Sequence, residues 1–232
     1  ALMGVEIEQN LLFDVTLHAA TVLSTIVVLW SEVARLLRGL FSRRFNEEQA
    51  YVLKLLLSMI PIGIVGFTLK DRLDALLEPA ILLVVGCMLL VTAALLAFAY
   101  YAKPRQKAQL SYRDAFLIGV AQAVAALPGL SRSGSTIATG LLLGNRKQTV
   151  AQFSFLMVLP PILGETFLEL MKGNLGAQAI GSAPLAAGFV AAFVVGCLAC
   201  KFMIEIVKRG KLVWFALYCA AAGTVSILSY VL

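Results

Sequence analysis

The sequence predicts an all-α polytopic membrane protein, and four observations carry that prediction. Of the 232 residues, 60% are hydrophobic and only 14% are charged, whereas a soluble domain carries about 25% charged residues. The mean hydropathy is +0.91. The apolar residues are gathered into runs long enough to cross about 30 Å of hydrocarbon. The basic residues fall in short connectors between those runs, which is typical of loops that face a cytoplasm.

Six apolar runs have the length of a transmembrane helix. Connectors that contain charge, glycine or proline separate them, and none is long enough to form a soluble domain. We therefore expect a single integral membrane domain over residues 1–232. The six predicted spans cover residues 13–31, 52–69, 80–101, 150–171, 184–207 and 212–232.

The segment 114–147 has a different pattern. It begins apolar, breaks at Pro128-Gly129, passes through the polar sequence 131–134 and resumes as an apolar run. Its centre is too polar for an ordinary span, and Pro-Gly marks a turn. We expect two short helices of about 14 and 9 residues that dip into the membrane and return.

The distribution of positive charge favours this re-entrant helix-loop-helix. If 114–147 returns to the side it entered from, 15 of the 19 lysines and arginines share one side of the membrane. The opposite side then carries only Lys70, Arg72 and Lys172, and Arg132 lies within the loop. A full crossing would move the basic connector 201–211 to that opposite side and weaken the asymmetry. Both ends of this chain are then expected outside the cytoplasm.

Two proline-bearing helices hint at duplicated halves. Leu57 to Pro61, followed by Gly66, resembles Met157 to Pro160, followed by Gly164. Inverted repeats of this kind are common in transporter folds. We expect an inverted-repeat architecture in which residues 1–110 are the remainder of a first repeat and residues 111–232 form a second.

Arg132 is the sharpest functional feature of the sequence. A charged side chain at bilayer depth costs several kcal/mol, so it is normally paired or placed in a wet cavity, and it marks a functional site by default. The alternative is a structural ion pair, for which Asp14, Glu165 and Glu169 are the membrane carboxylates available.

The neighbours of Arg132 favour anion binding. Gly129 and Gly134 permit tight turns, and a helix resuming near Thr136 would aim free N–H groups at the break. The arginine adds a planar fork that suits phosphate oxygens. Hydroxyl donors come from Ser131, Ser133, Ser135 and Thr136. Together these residues predict a phosphate site.

Other kinds of site are excluded or disfavoured. The single histidine, His18, excludes a multi-histidine metal site. Nucleic-acid binding is not expected, because no basic stripe is interleaved with exposed aromatic residues. All four cysteines lie inside apolar runs, where packing is the expected role rather than redox or metal chemistry. They are Cys87, Cys197, Cys200 and Cys219.

Residues 122–136, with the sequence QAVAALPGLSRSGST, resemble the second signature of the bacterial undecaprenyl-diphosphate phosphatase family, which is linked to bacitracin resistance. Further stretches similar to that family are FDVTLH (13–18), YRDA (112–115), GLLLG (140–144) and FSFL (153–156). The resemblance runs through essentially the whole chain.

This resemblance implies a membrane hydrolase that converts undecaprenyl diphosphate to undecaprenyl phosphate and phosphate, recycling the lipid carrier of peptidoglycan synthesis. The reaction would take place at the outer side of the bacterial cytoplasmic (inner) membrane, with a divalent cation, Mg²⁺ or Ca²⁺. The resemblance assigns catalytic roles to Arg132, Ser131 and Ser133, and Glu165 is a metal-ligand candidate. Substrate-binding candidates are Gly129, Gly134, Ser135, Thr136 and Gln122. His18 and Asp14, spaced i, i+4 on one helix face, are further substrate-binding candidates, with contact to the metal or a plain polar pair near the helix end as the alternatives.

One family feature has no counterpart in this sequence. The family's first signature, of the form EGLTEFLPVSSTGH, precedes the region that corresponds to Ala1 and supplies acidic residues, serine and histidine for catalysis. The nucleophile and the acidic metal ligands are therefore not identified in this chain, and we expect the chain alone to be inactive.

Two alternatives bear on this interpretation. A transporter or flippase of a polyprenyl phosphate fits re-entrant segments in duplicated halves. The acid phosphatase pattern S-R-x5-H-x3-D is excluded for this segment, because Ala138 stands at the histidine position that follows Ser131-Arg132. Membrane lipids are expected partners, and the sequence leaves open whether the protein is a homo-oligomer.

Overall fold

A computed structural model describes residues 11–42, 45–68, 81–101, 107, 109–171 and 182–231. Within these residues the secondary structure is helical. The helices are α1 (Leu11–Val28), α2 (Trp30–Leu40), α3 (Glu47–Thr68), α4 (Ile81–Tyr101), α5 (Tyr112–Val124), α6 (Arg132–Leu142), α7 (Lys147–Leu156), α8 (Leu159–Met171), α9 (Ser182–Arg209) and α10 (Leu212–Val231).

The predicted polytopic all-α class is confirmed. Five helical stretches in the described part of the chain are long and apolar enough to cross a membrane, and a sixth is added if α1 and α2 count as one span. The five stretches are Glu47–Gly66, Ile81–Tyr101, Lys147–Leu168, Ala183–Arg209 and Leu212–Tyr230.

The connector predicted after the first span contains a helix of its own. The chain turns sharply at Leu29, and α2 follows with charged and apolar residues arranged at helical spacing. Trp30 and Leu37 are exposed on it, and Arg35 and Arg38 supply positive charge. This amphipathic composition is typical of a helix that lies at a membrane surface.

The span predicted over residues 150–171 is present as the apolar stretch Lys147–Leu168, with a break that divides it into two helices. α7 ends at Leu156 and α8 begins at Leu159. Pro160 and Pro161 stand in the first turn of α8, where a missing N–H breaks no intrahelical hydrogen bond. A long helix running through them would lose two such bonds, so the chain breaks just before them.

The chain divides into two compact units. The first combines Ala1–Val33 with Val158–Phe202, and the second combines Ala34–Met157 with Met203–Leu232. In the first unit α1 packs against α8. In the second, α4 packs along α10, α3 packs on α5, and α6 contacts α4, α5 and α7. The predicted repeat boundary near residue 110 stays a prediction.

The core of the second unit surrounds α6. Ile137 and Ala138 of α6 are completely buried against Leu96 of α4, Val150 of α7 and Val207 of α9. The apolar half of α6 is therefore enclosed by three other helices, which fixes the position of its polar N-terminus.

The two short helices predicted in 114–147 are present as α5, with 13 residues, and α6, with 11 residues. They pack against each other, and residues 125–131 form the break between them. We call this break the α5–α6 turn. α6 begins at Arg132 rather than near Thr136 because Ser131 acts as its N-cap. Four polar residues that the apolar pattern left out therefore form its first turn.

Candidate functional site

The N-terminus of α6 is built as an anion-binding end. The Ser131 hydroxyl oxygen accepts a hydrogen bond from the Gly134 N–H at 3.1 Å, and the Ser131 carbonyl oxygen accepts one from the Ser135 N–H at 2.8 Å. By helix geometry, the first N–H groups of α6 are directed out of its N-terminal end. They point at the α5–α6 turn together with the positive end of the helix dipole.

Two glycines allow this end to form. Gly129 has a φ of 89°, in the left-handed region, and a Cβ there would lie 2.5 Å from the carbonyl oxygen of Val85 on α4. A Cβ on Gly134 would lie 2.9 Å from the Ser131 hydroxyl oxygen and 3.3 Å from Cγ2 of Thr92. The first glycine permits close contact with α4, and the second leaves room for the N-cap.

Thr92 holds the turn from α4, a role that the sequence did not reveal. Its hydroxyl oxygen accepts a hydrogen bond from the Ser131 N–H at 3.0 Å, and Thr92 is completely buried. The same hydroxyl donates to the Met88 carbonyl oxygen. A threonine in an apolar span commonly makes the second bond alone, so only the fold reveals the first.

The hydroxyl of Thr136 is hydrogen-bonded to other groups of the protein. Its hydroxyl contacts the carbonyl oxygens of Arg132 and Ser133 and lies 2.5 Å from the hydroxyl of Ser154 on α7. Both Thr136 and Ser154 are buried. These contacts tie the first turn of α6 to α7. Ser154 therefore has a structural role in this contact.

Gln122 and Ser135 carry buried polar atoms that the protein itself does not satisfy. Gln122 is 1% exposed and Ser135 is 3% exposed. Among the described residues, neither amide atom of Gln122 nor the Ser135 hydroxyl has a hydrogen-bond partner. Gln122 stands in the last turn of α5 and Ser135 in the first turn of α6, on either side of the break. Buried polar groups are nearly always paired, so these atoms call for a ligand or water.

A polar cluster joins the opposite ends of α5 and α6. The Asp114 carboxylate accepts hydrogen bonds from the Asn145 amide at 3.2 Å and from Lys107 Nζ at 3.3 Å. The Asn145 amide also donates to the Gly140 carbonyl oxygen. Burial of Asp114 acts to raise its pKa, but the hydrogen bonds of Asn145, Ser111 and Lys107, with the Lys107 charge, outweigh burial and lower the pKa. This cluster therefore connects the N-terminal end of α5 to the C-terminal end of α6, opposite the α5–α6 turn.

The remaining predicted site residues belong to the first compact unit. Asp14 is exposed and His18 half-buried on α1, in the first compact unit, whereas the α5–α6 turn belongs to the second. The Nδ1 atom of His18 is buried without a hydrogen-bond partner in the described part of the chain. The side chain of Glu165, the predicted metal-ligand candidate, lies outside the described residues, as does that of Glu169.

The described residues do not fit a protein-built cation site. Among them, no group of three histidine, cysteine, aspartate or glutamate side chains comes together. The α5–α6 turn presents hydrogen-bond donors and a guanidinium, which suit an anion rather than a metal ion. The predicted Mg²⁺ or Ca²⁺ therefore has no described ligand set in this chain.

The arrangement can hold a phosphate or diphosphate group. Arg132 and Ser133 are half-buried in the first turn of α6, and Gln122 and Ser135, on either side of the break, add buried polar atoms. Donors fixed in place before an anion arrives stabilise charge without reorganisation.

This chain is similar to known proteins whose names describe a phosphatase acting on a diphosphate. The family model described as "Bacitracin resistance protein BacA" matches residues 1–225. A protein of Parabacteroides distasonis named undecaprenyl-diphosphatase is 62% identical over 230 residues, covering 98% of this chain and 86% of that protein. The protein of the same name from Bacteroides thetaiotaomicron is 57% identical, covering 99% and 88%.

The similarity extends to distant organisms. An undecaprenyl-diphosphatase of Oceanobacillus iheyensis is 32% identical to this chain over 231 residues, covering 96% of the chain and 83% of that protein. The match therefore covers both compact units.

Proposed function

This chain belongs to the bacitracin resistance protein BacA family, and we infer that the full-length protein hydrolyses undecaprenyl diphosphate to undecaprenyl phosphate and inorganic phosphate. The observation that carries the proposal is the α6 N-terminus with Arg132, a donor-rich anion site in a chain 62% identical to a protein named undecaprenyl-diphosphatase. The activity would recycle the lipid carrier of peptidoglycan synthesis and confer bacitracin resistance.

Arg132 would bind the diphosphate and stabilise the charge of the phosphoryl group during its transfer. Phosphoryl transfer depends mainly on positioning and electrostatic stabilisation, and a guanidinium can grip two phosphate oxygens at once. The N–H groups of Arg132 and Ser133 would bind further oxygens. The oxygen of a water molecule would bond to the terminal phosphorus while the bond from that phosphorus to the bridging oxygen breaks. The water oxygen then belongs to the released phosphate, its proton passes to solvent, and undecaprenyl phosphate leaves with the bridging oxygen.

Gln122 and Ser135 would also contact the substrate. Each has buried polar atoms without a partner in the described residues, and a bound phosphate or its water would satisfy them. The Ser131 hydroxyl is occupied as an acceptor by the N-cap bond, but its proton remains free to donate to a phosphate oxygen.

The length of α5 supports access from the outer side of the cytoplasmic membrane. The basic connectors at the base of α5 and α6 would face the cytoplasm. Thirteen helical residues extend about 20 Å, which is about two thirds of a 30 Å hydrocarbon core. The tip of the pair would therefore reach the outer half of the membrane, where a diphosphate headgroup at the outer surface can meet Arg132.

The test is phosphate release from undecaprenyl diphosphate by the full-length protein in detergent. Arg132→Ala should lower kcat by about 1000-fold or more, as expected for an arginine that stabilises a transferring phosphoryl group. Arg132→Lys should recover part of that loss, since lysine keeps the charge without the fork. Arg209→Ala is the matched control, because Arg209 is an exposed arginine paired with Glu205.

Two results would contradict the proposal. Full hydrolysis by Arg132→Ala would remove Arg132 from the site. Translocation of the headgroup across vesicles without phosphate release by the wild-type protein would favour the polyprenyl-phosphate transporter instead.

A further inference from the structure

The α5–α6 turn rests on one face of α4 at two points. Gly129 packs against the backbone of Val85, and Ser131 donates its N–H to Thr92. Val85 and Thr92 are seven residues apart, so they lie on the same face of α4, about 10 Å from each other. The first contact depends on the absence of a side chain, and the second is a directional hydrogen bond.

The hydroxyl of Thr92 is fully used. It accepts from the Ser131 N–H and donates to the Met88 carbonyl oxygen, both at 3.0 Å. The donated bond keeps the hydroxyl in one rotamer, with its lone pair directed at Ser131. Thr92 is completely buried, and a backbone N–H left without an acceptor at membrane depth is costly.

Ser131 connects this bond to the anion-binding end of α6. Its hydroxyl and carbonyl oxygens cap the helix through Gly134 and Ser135, and its N–H is held by Thr92. The residue is thus fixed on both sides, and Arg132 follows it directly in the chain. A rotation of the Ser131 peptide would turn the first N–H groups of α6 and the start of the Arg132 side chain.

We propose that Thr92 is a positioning residue that sets where the α6 N-terminus and Arg132 meet the diphosphate. This inference rests on the proposed hydrolysis and adds a residue that does not touch the substrate. A misplacement of about 1 Å in a catalytic group can cost about 100-fold in rate. The prenyl chain supplies apolar binding energy that this change leaves intact, so the loss falls on kcat rather than on KM.

The experiment compares Thr92→Val, which has nearly the same shape without a hydroxyl, with Thr92→Ser, which keeps the acceptor. Thr92→Val should lower kcat for phosphate release from undecaprenyl diphosphate by about 10- to 100-fold, with KM within about twofold, and Thr92→Ser should stay near wild type. The control is Thr224→Val on α10, which removes the hydroxyl of an exposed threonine bonded only to its own helix.

A second measurement reports on the turn without catalysis. Hydrogen–deuterium exchange of a peptide covering residues 129–136 should quicken in Thr92→Val, return toward wild type in Thr92→Ser and stay unchanged in Thr224→Val. If Thr92→Val does not yield a monodisperse protein, Thr92→Cys carries the test, since it matches serine in shape with a much weaker acceptor.

The outcomes separate the two proposals. Wild-type kcat and wild-type exchange in Thr92→Val would overturn the positioning role and leave the hydrolysis intact. Faster exchange with unchanged kcat would also overturn it, because the turn would then be free to move without consequence. Failure of the wild-type protein to release phosphate would overturn the proposed function, and the exchange result would still decide whether Thr92 holds the turn.

Discussion

Replacing Gly129 with alanine tests whether the α5–α6 turn must lie against α4. The new Cβ would stand 2.5 Å from the Val85 carbonyl oxygen, where 3.4 Å is the onset of ordinary contact. The turn must therefore retreat by about 0.9 Å, close to the 1 Å misplacement that costs about 100-fold in rate. The φ of 89° adds about 1–2 kcal/mol of strain, because alanine has a Cβ and resists the left-handed region.

The assay is phosphate release from undecaprenyl diphosphate by the full-length protein, with thermal unfolding measured in the same detergent. Gly129→Ala should lower kcat about 100-fold and lower the unfolding temperature. Gly63→Ala is the matched control, since a Cβ at Gly63 has nothing within 4 Å and alanine suits a helix interior better than glycine. A Gly129→Ala protein that keeps half of the wild-type kcat would refute the argument that contact with α4 places the catalytic groups.

Two further predictions concern ionisation and the cation. Because the pKa of Asp114 is lowered, its carboxylate stabilises the fold fully above the ordinary value near 3.8, and that contribution disappears as the pH falls through the lowered pKa. Unfolding temperatures between neutral and strongly acidic pH should fall less steeply for Asp114→Asn than for wild type, and identical profiles would contradict this. The divalent cation stays a prediction: EDTA should abolish phosphate release, and Mg²⁺ or Ca²⁺ should restore it, whereas full activity in EDTA would exclude the requirement.

The spans and the break between α5 and α6 could be predicted from the sequence because their signals are local. An apolar run of membrane length predicts a helix wherever it occurs, and Pro128-Gly129 interrupts one. The same reasoning missed α2, since charges such as Arg35 and Arg38 suggest a connector until they are placed at helical spacing. It also predicted no break between α7 and α8, because together they form one long apolar run despite Pro160 and Pro161.

The candidate site was only partly predictable for a related reason. Arg132 and its serine neighbours are adjacent in sequence, so their pattern predicts an anion site directly. Thr92 meets Ser131 across 39 positions of the chain, and Asn145 meets Asp114 across 31. No local pattern encodes such pairs, because they arise from how helices pack. Thr136 illustrates the converse, since its hydroxyl resembled a ligand donor in the sequence and is bonded inside the protein.

The chemical nature of the α6 N-terminus has a consequence for how the enzyme responds to acidity. Backbone N–H groups, hydroxyls and a guanidinium keep their protons across the whole physiological range. The protonation of these donors is therefore constant while the pH of the surrounding medium changes. Any acidic or alkaline limb in a rate profile must then report the ionisation of the lipid headgroup or of the groups that deliver water. The donors of this chain would then meet the headgroup with unchanged charge at every physiological pH, and any change in affinity would come from the headgroup itself.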